Sequence, residues 1–215
     1  MESLTNSLPT TKFTKDLMNK IDRKDFVMNK KKSYIDQPQP LIQKQTISAP
    51  HMHARAIEYM ESVLKPGSSI LDIGSGSGYL SACYAEAVKV YHKDIQKRGT
   101  VIGIDIFPDL VNYSKKCIQD QYNHFNTYKK NFKLLIGDGK LGYPKSNKKE
   151  KYDGIHIGAA CDFIPNILLS QLKKNGILLL PLKINNNLFF TVVQKDKKGN
   201  LSLFIKESVR YVPLL

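Results

Sequence analysis

Three aspartates stand where short apolar runs give way to glycine or to a helix start. Asp72 lies in Ile70-Leu71-Asp72-Ile73-Gly74-Ser75-Gly76-Ser77-Gly78, Asp105 ends Val101-Ile102-Gly103-Ile104-Asp105, and Asp138 sits between Gly137 and Gly139 after Phe132–Ile136. A fourth candidate is Ser48, within Thr46-Ile47-Ser48-Ala49-Pro50-His51-Met52-His53. Glycines without a Cβ allow positive φ and close approach of a ligand to the backbone. The apolar run, the glycine turn and the helix-forming stretch Tyr79–Val88 make a strand–loop–helix unit that seats a nucleotide-like ligand at a helix N-terminus.

The spacing separates two ligand classes. A dinucleotide site needs G-x-G-x-x-G so that the backbone reaches a pyrophosphate. Here the pattern is D-x-G-x-G-x-G. A carboxylate two residues before the first glycine repels pyrophosphate but suits an ammonium group. S-adenosyl-L-methionine, with its adenosine, sulfonium and amino-acid tail, meets that requirement. Asp105, at the end of the second strand, is placed to receive ribose hydroxyls, with a helix cap as its plain structural reading. Asp138 is placed to accept from an adenine amino group, against an Asx turn. Ser48 reads either as a ligand contact or as the cap of a helix opened by Pro50. His51 and His53, two positions apart on that helix, cannot ligate one metal as an i,i+4 pair does, so no metal site is expected.

These residues need a scaffold of alternating strands and helices. Strands are expected at Ile70–Ile73, Thr100–Asp105, Phe132–Ile136, Tyr152–Ile157 and Gly176–Leu182, with helices at Thr14–Ile21, Pro50–Leu64, Tyr79–Val88, Pro108–Gln121 and Phe163–Leu172. Thr14 is the expected cap of the first helix. Leu188–Gln194 and Leu201–Glu207 read as a hairpin across Asp196–Asn200. The βαβ alternation predicts an α/β, Rossmann-like fold with a mostly parallel seven-stranded sheet closed by an antiparallel hairpin. Residues 1–13 read as a disordered tail and 14–215 as a single domain.

Composition bounds the rest. The 215 residues suffice for one sizeable core. No apolar run approaches the ~20 residues that span a bilayer, and the N-terminus lacks an apolar signal core, so no membrane partner is expected. Three scattered cysteines without C-x-x-C indicate neither zinc nor disulfides and fit a reducing cytoplasm. The net charge of +14 raises nucleic acid as a partner. Only four of the 33 basic residues are Arg, and the excess collects in lysine-rich, insert-like segments at 91–98, 128–133 and 145–151. Such surfaces are ordinarily solvated, so nucleic acid is not the expected partner, and the chain is expected to act as a monomer.

Taken together, Thr46–His53, Leu71–Gly78, Val101–Asp105, Gly137-Asp138-Gly139 and Tyr152–Ala160 resemble the protein-L-isoaspartate O-methyltransferase family. Asp22-Arg23 and Tyr211-Val212-Pro213-Leu214 also match family landmarks. The glycine loop alone speaks only for class I methyltransferases; the Thr46–His53 run is far more specific. The resemblance implies Ser48 as the active-site residue. It implies a cofactor site of Thr46, Ile47, His53, Asp72, Gly74, Ser75, Gly76, Asp105, Ile106, Asp138 and Gly139. It implies methyl transfer to the free α-carboxylate of L-isoaspartyl residues in damaged proteins and peptides, a repair reaction yielding S-adenosyl-L-homocysteine. Such a carboxylate is ionised at neutral pH and needs no general base. A nucleic-acid methyltransferase of the same fold and a non-catalytic binding module are the competing readings. Strand four ends in His156-Ile157-Gly158-Ala159, not in the Asp/Asn-Pro-Pro-aromatic run used on base amino groups, and no Pro-Cys nucleophile is present.

Overall fold

A computed structural model describes residues 1–144, 149 and 151–215. The elements, in chain order, are α1 (Glu2–Ser7), α2 (Lys12–Lys20), β1 (Gln39–Pro40), β2 (Thr46–Ile47), α3 (Pro50–Met60), β3 (Ser69–Ile73), α4 (Tyr79–Val88), β4 (Thr100–Asp105), α5 (Pro108–Gln121), α6 (Asn123–Thr127), β5 (Phe132–Ile136), β6 (Tyr152–Ile157), α7 (Asn166–Gln171), β7 (Leu172–Ile184), β8 (Asn187–Lys195) and β9 (Leu201–Ser208). The main sheet is seven-stranded in the order β5-β4-β3-β6-β7-β8-β9. The first five strands of that order are parallel, and β8 and β9 add antiparallel. β1 and β2 form a separate antiparallel pair.

Alternation along the central strands divides the core. Ile70 and Val101 face a cluster built with α2, α3, α4 and α5. Leu71, Ile73, Ile102, Ile104, Ile155 and Ile157 face the other side with Leu168 of α7. Period-2 geometry makes this division unavoidable once both faces are covered by helices. Asp72 shares the face of Ile70, and therefore points toward α4. Every residue of α4 is buried. Gly103 lets this helix approach: a Cβ there would come within 2.7 Å of Ser81 Oγ and 2.6 Å of Leu134 Cδ2.

The structure corrects several expectations. Residues 1–13 are not a disordered tail: α1 buries Leu4, and Leu8 follows it into the core. Thr5 donates to Asn19 Oδ1 at 2.9 Å, and Thr11 N donates to Glu58 Oε1 at 2.9 Å. Two leucines four residues apart form the apolar face, too little to register as periodicity in a short polar stretch. α2 is capped by Thr11, which accepts from Thr14 N, so Thr14 lies inside the helix. α7 begins at Asn166, leaving Phe163 outside it and 69% exposed. β7 is longer than expected because it pairs with β6 at its start and with β8 through Ile184. The expected segment 145–151 falls mostly on residues 145–148 and 150, outside the described residues.

Candidate active site

All four acid- or glycine-bearing turns open at one edge, because β3, β4, β5 and β6 run parallel. Carboxyl ends of parallel strands are where open α/β sheets bind ligands. Gly74, Gly76 and Gly78 adopt φ of +68°, +56° and +83°, the left-handed region that penalises other residues. A Cβ built on Gly76 meets only Gly74 O, at 3.9 Å, and otherwise enters open space in the site. Gly158 is required for a different reason: a Cβ there would lie 2.8 Å from Gly74 O.

Two adjoining cavities share Thr46, Gly74, Gly76 and Gly158. The first holds ≈ 570 Å³ of space between the atoms, with the solvent of its open mouth counted in. Asp105, Ile106, Phe107, Asp138 and Gly139 line it. Asp105 accepts from Gly76 N at 3.0 Å and Phe107 N at 3.1 Å. Burial pushes its carboxyl above the usual range, opposed by those two N–H donors. Two N–H bonds leave lone pairs on both oxygens for further donors. Asp138 accepts from Lys140 N at 2.9 Å, so the Asx turn is real and coexists with a place on the cavity wall. Ile106 is 42% exposed although it faces the cavity, an apolar surface over which a flat ring could lie.

The second cavity is lined by Ile47, Ser48, His53, Asp72, Ser75, Ser77, Tyr79, Leu80, His156 and Tyr211 among others. Asp72 is buried, accepting from Ser81 Oγ at 2.5 Å and from His156 Nδ1 at 2.8 Å. An ionised carboxylate only accepts, so His156 carries the proton on Nδ1. His156 Nε2 and Ser75 Oγ are buried without a hydrogen-bond partner among the described residues. Buried polar atoms are rarely left so, and both belong to residues on the cavity wall. Orphaned polar groups, a buried carboxylate and glycines that leave room fit a ligand with an adenosine and a charged amino-acid tail.

Ser48 does not cap α3. Ala49 holds the cap position without a side-chain cap bond of its own, and Asp36 Oδ1 accepts from His51 N in the first turn at 2.9 Å. Ser48 lies instead beside the Tyr211 phenol, at the wall between the second cavity and a surface groove. That groove is lined by Pro38, Thr46, Ser48, His51, Met52 and Ser208–Val212. The C-terminal segment is held over the site by Ala160 N donating to Val212 O and Leu214 N donating to Ala160 O, both at 2.8 Å.

All the expected site residues line one or both cavities. Sequence reasoning missed His156 and Tyr79 as cavity residues, and gave Gly158 no role at the cofactor cavity. His156 pairs in register with Asp72 on the neighbouring parallel strand. Only strand order, which periodicity does not carry, could have revealed that.

Comparison with known proteins agrees with this geometry. Residues 2–215 match the family described as protein-L-isoaspartate(D-aspartate) O-methyltransferase. The chain is 39% identical over 199 residues to protein-L-isoaspartate O-methyltransferase 1 of Arabidopsis thaliana, covering 92% of this chain and 81% of that protein. It is 37% identical over 200 residues to the Caenorhabditis elegans protein-L-isoaspartate O-methyltransferase, covering 93% and 83%. A Plasmodium falciparum structure assigned to the same activity, in complex with S-adenosyl-L-homocysteine, superposes with a TM-score of 0.91 at 30% identity, over 100% of this chain and 97% of that one.

Proposed function

The chain belongs to the protein-L-isoaspartate(D-aspartate) O-methyltransferase family, and from that premise we infer that its cavities and groove serve protein repair. The enzyme transfers a methyl group to the free α-carboxylate of L-isoaspartyl residues in damaged proteins and peptides. When bound, S-adenosyl-L-methionine supplies an electrophilic methyl on its sulfonium. In this reading Asp105 receives the ribose hydroxyls, Asp138, Gly139 and Ile106 hold the adenine, and Asp72 pairs with the ammonium. Thr46, Ile47, His53, Gly74, Ser75 and Gly76 complete the walls.

The observation that carries this assignment of roles is the place of Ser48. It borders both the second cavity and the groove, so a carboxylate entering from the groove meets its hydroxyl at the boundary with the cofactor. The acceptor is already ionised, so no proton has to be removed. What the protein must supply is alignment of oxygen, methyl and sulfur, worth many powers of ten when well held. Ser48 is an orienting donor and not a nucleophile: its near side chain is the Tyr211 phenol, and burial raises that phenol's pKa, so it supplies no base at neutral pH. The product ester has a better leaving group than the acid. Attack by the following backbone nitrogen expels methanol, and the resulting succinimide reopens partly to normal aspartate.

Residues 14–215, with α1 folded onto them, act in this reading as one methyltransferase unit, working as a monomer in the cytoplasm. Three free, buried cysteines support a reducing compartment. Among the described residues no helix is long and apolar enough to cross a membrane.

Methyl transfer from labelled cofactor to paired peptides, one with L-isoaspartate and one with normal aspartate at the same position, tests the reading. Base-labile label in the isoaspartyl peptide alone is the expected result. Equal labelling of both peptides, or of neither while S-adenosyl-L-homocysteine binds, overturns it.

A further inference from the structure

Arg23 is fully buried, yet no carboxylate pairs with it among the described residues. It starts the short turn Arg23–Phe26 after α2. Its Nε donates to Ser33 O at 3.1 Å, its Nη1 meets His53 Nδ1 at 3.0 Å, and its Nη2 is buried without a partner among the described residues. Asp36 acts on it only at a distance, its Oδ1 engaged by the backbone N–H and ring of His51. Burying a cation without a countercharge costs several kcal/mol. Such a charge is retained where it acts on something.

The contact with His53 says what. A guanidinium donates and never accepts, so His53 Nδ1 must accept. Burial first, and the Arg23 charge second, hold the imidazole well below its usual pKa, so the ring is neutral. Its single proton therefore sits on Nε2. That nitrogen has no partner among the described residues, and the ring lines the second cavity beside Asp72, Ser77 and Tyr79. The Tyr79 ring, 4.8 Å away centroid to centroid, packs against the imidazole and holds its plane. The result is an N–H donor at the cavity wall, polarised from behind by a desolvated positive charge. Asp72 in the same cavity offers the opposite pole.

We propose that Arg23 is a positioning residue for the amino-acid tail of the cofactor, acting through His53, whose Nε2–H it orients and charges to receive the tail's α-carboxylate. The inference rests on the S-adenosyl-L-methionine reading above and assigns its second pole. Arg23 touches no reacting atom. It sets which nitrogen of His53 is protonated and supplies the countercharge for a carboxylate that Asp72 would otherwise repel.

Calorimetry with two thioethers tests this: S-adenosyl-L-homocysteine, and its decarboxylated counterpart, which keeps adenosine and ammonium but lacks the carboxylate. Arg23→Met is expected to weaken the first by tenfold or more and the second by less than twofold, with Arg23→Lys intermediate for the first. Equal weakening of both ligands, or of neither, overturns the proposal. Because Arg23→Met could compromise folding, the wild-type protein is also read by ¹⁵N NMR of its imidazoles. Free protein is expected to show His53 as the Nε2–H tautomer, with that proton shifting when the carboxylate-bearing thioether is added and not with the other. An Nδ1–H tautomer, or the same shift with both ligands, sinks the idea. A wild type that binds neither thioether fails the cofactor reading itself. A wild type that binds both, with Arg23→Met discriminating nothing, fails this inference alone.

Discussion

Asp105→Asn isolates what a carboxylate does at the end of β4. In the native chain Oδ2 accepts from Gly76 N at 3.0 Å and Oδ1 from Phe107 N at 3.1 Å, and each oxygen keeps a lone pair, which the proposed site gives to a ribose hydroxyl. The amide is nearly isosteric but has one oxygen. Either Gly76 N–H or Phe107 N–H then faces an NH₂ group, and one ribose hydroxyl loses its charged acceptor. An unsatisfied buried donor costs about 1–3 kcal/mol, and a hydrogen bond to a charged group contributes about 1.5–3 kcal/mol. The first loss falls on folding and loop geometry. For a chain of this size it lowers Tm by roughly 2–12 °C. The second falls on binding and raises the Kd for S-adenosyl-L-homocysteine by about 10- to 150-fold. Calorimetry and thermal unfolding on the same preparation separate the two. A 2′-deoxy ligand should bind native and variant more nearly alike, since part of the contact is already gone. If Asp105→Asn binds S-adenosyl-L-homocysteine within twofold of native, the ribose assignment is wrong and Asp105 only braces the glycine loop.

Ser48→Ala should lower kcat by about 5- to 100-fold, the loss of one hydrogen bond plus misalignment, while the Kd for S-adenosyl-L-homocysteine stays within twofold; a matching loss of cofactor affinity would contradict an orienting role. Gly139→Ala would drive a Cβ into Ile73 Cγ2 at the wall of the first cavity, costing about 1–3 kcal/mol by overpacking, measured by urea unfolding. His53, buried and beside Arg23, stays unprotonated in the fold where the unfolded chain takes up a proton near pH ~6.5. Its folded pKa is lowered, so stability is retained above that pH and lost as pH falls below it, by at most ~1.4 kcal/mol per unit. Urea unfolding between pH 7.5 and 5.5 should show this slope flattened in His53→Gln; parallel curves for native and variant would refute it.

Strand positions were legible because central parallel strands read as continuous apolar runs. Thr100–Asp105, Phe132–Ile136 and Tyr152–Ile157 match the observed β4, β5 and β6 residue for residue. Helix starts were less legible. Thr11, Thr14 and Ser48 can all cap by chemistry, and which of them does is settled by where the chain enters the helix. The first turn α1 escaped notice because its stability comes from burying Leu4 and Leu8 against the rest of the protein, and from no local preference of its own.

By itself the sequence determined the ligand class: glycine spacing, the acid before it and the acids at strand ends depend on local geometry that residue types specify. Which groups answer one another across the site was decided only by the tertiary structure. Asp72 meets His156 through the register of β3 against β6, across 84 positions of chain. Arg23 meets His53 because α2 and α3 pack together, and Ser48 meets Tyr211 because the C-terminal segment returns over β6. Those contacts follow from strand order and helix packing, which depend on the summed burial of the whole core and not on any one stretch of residues.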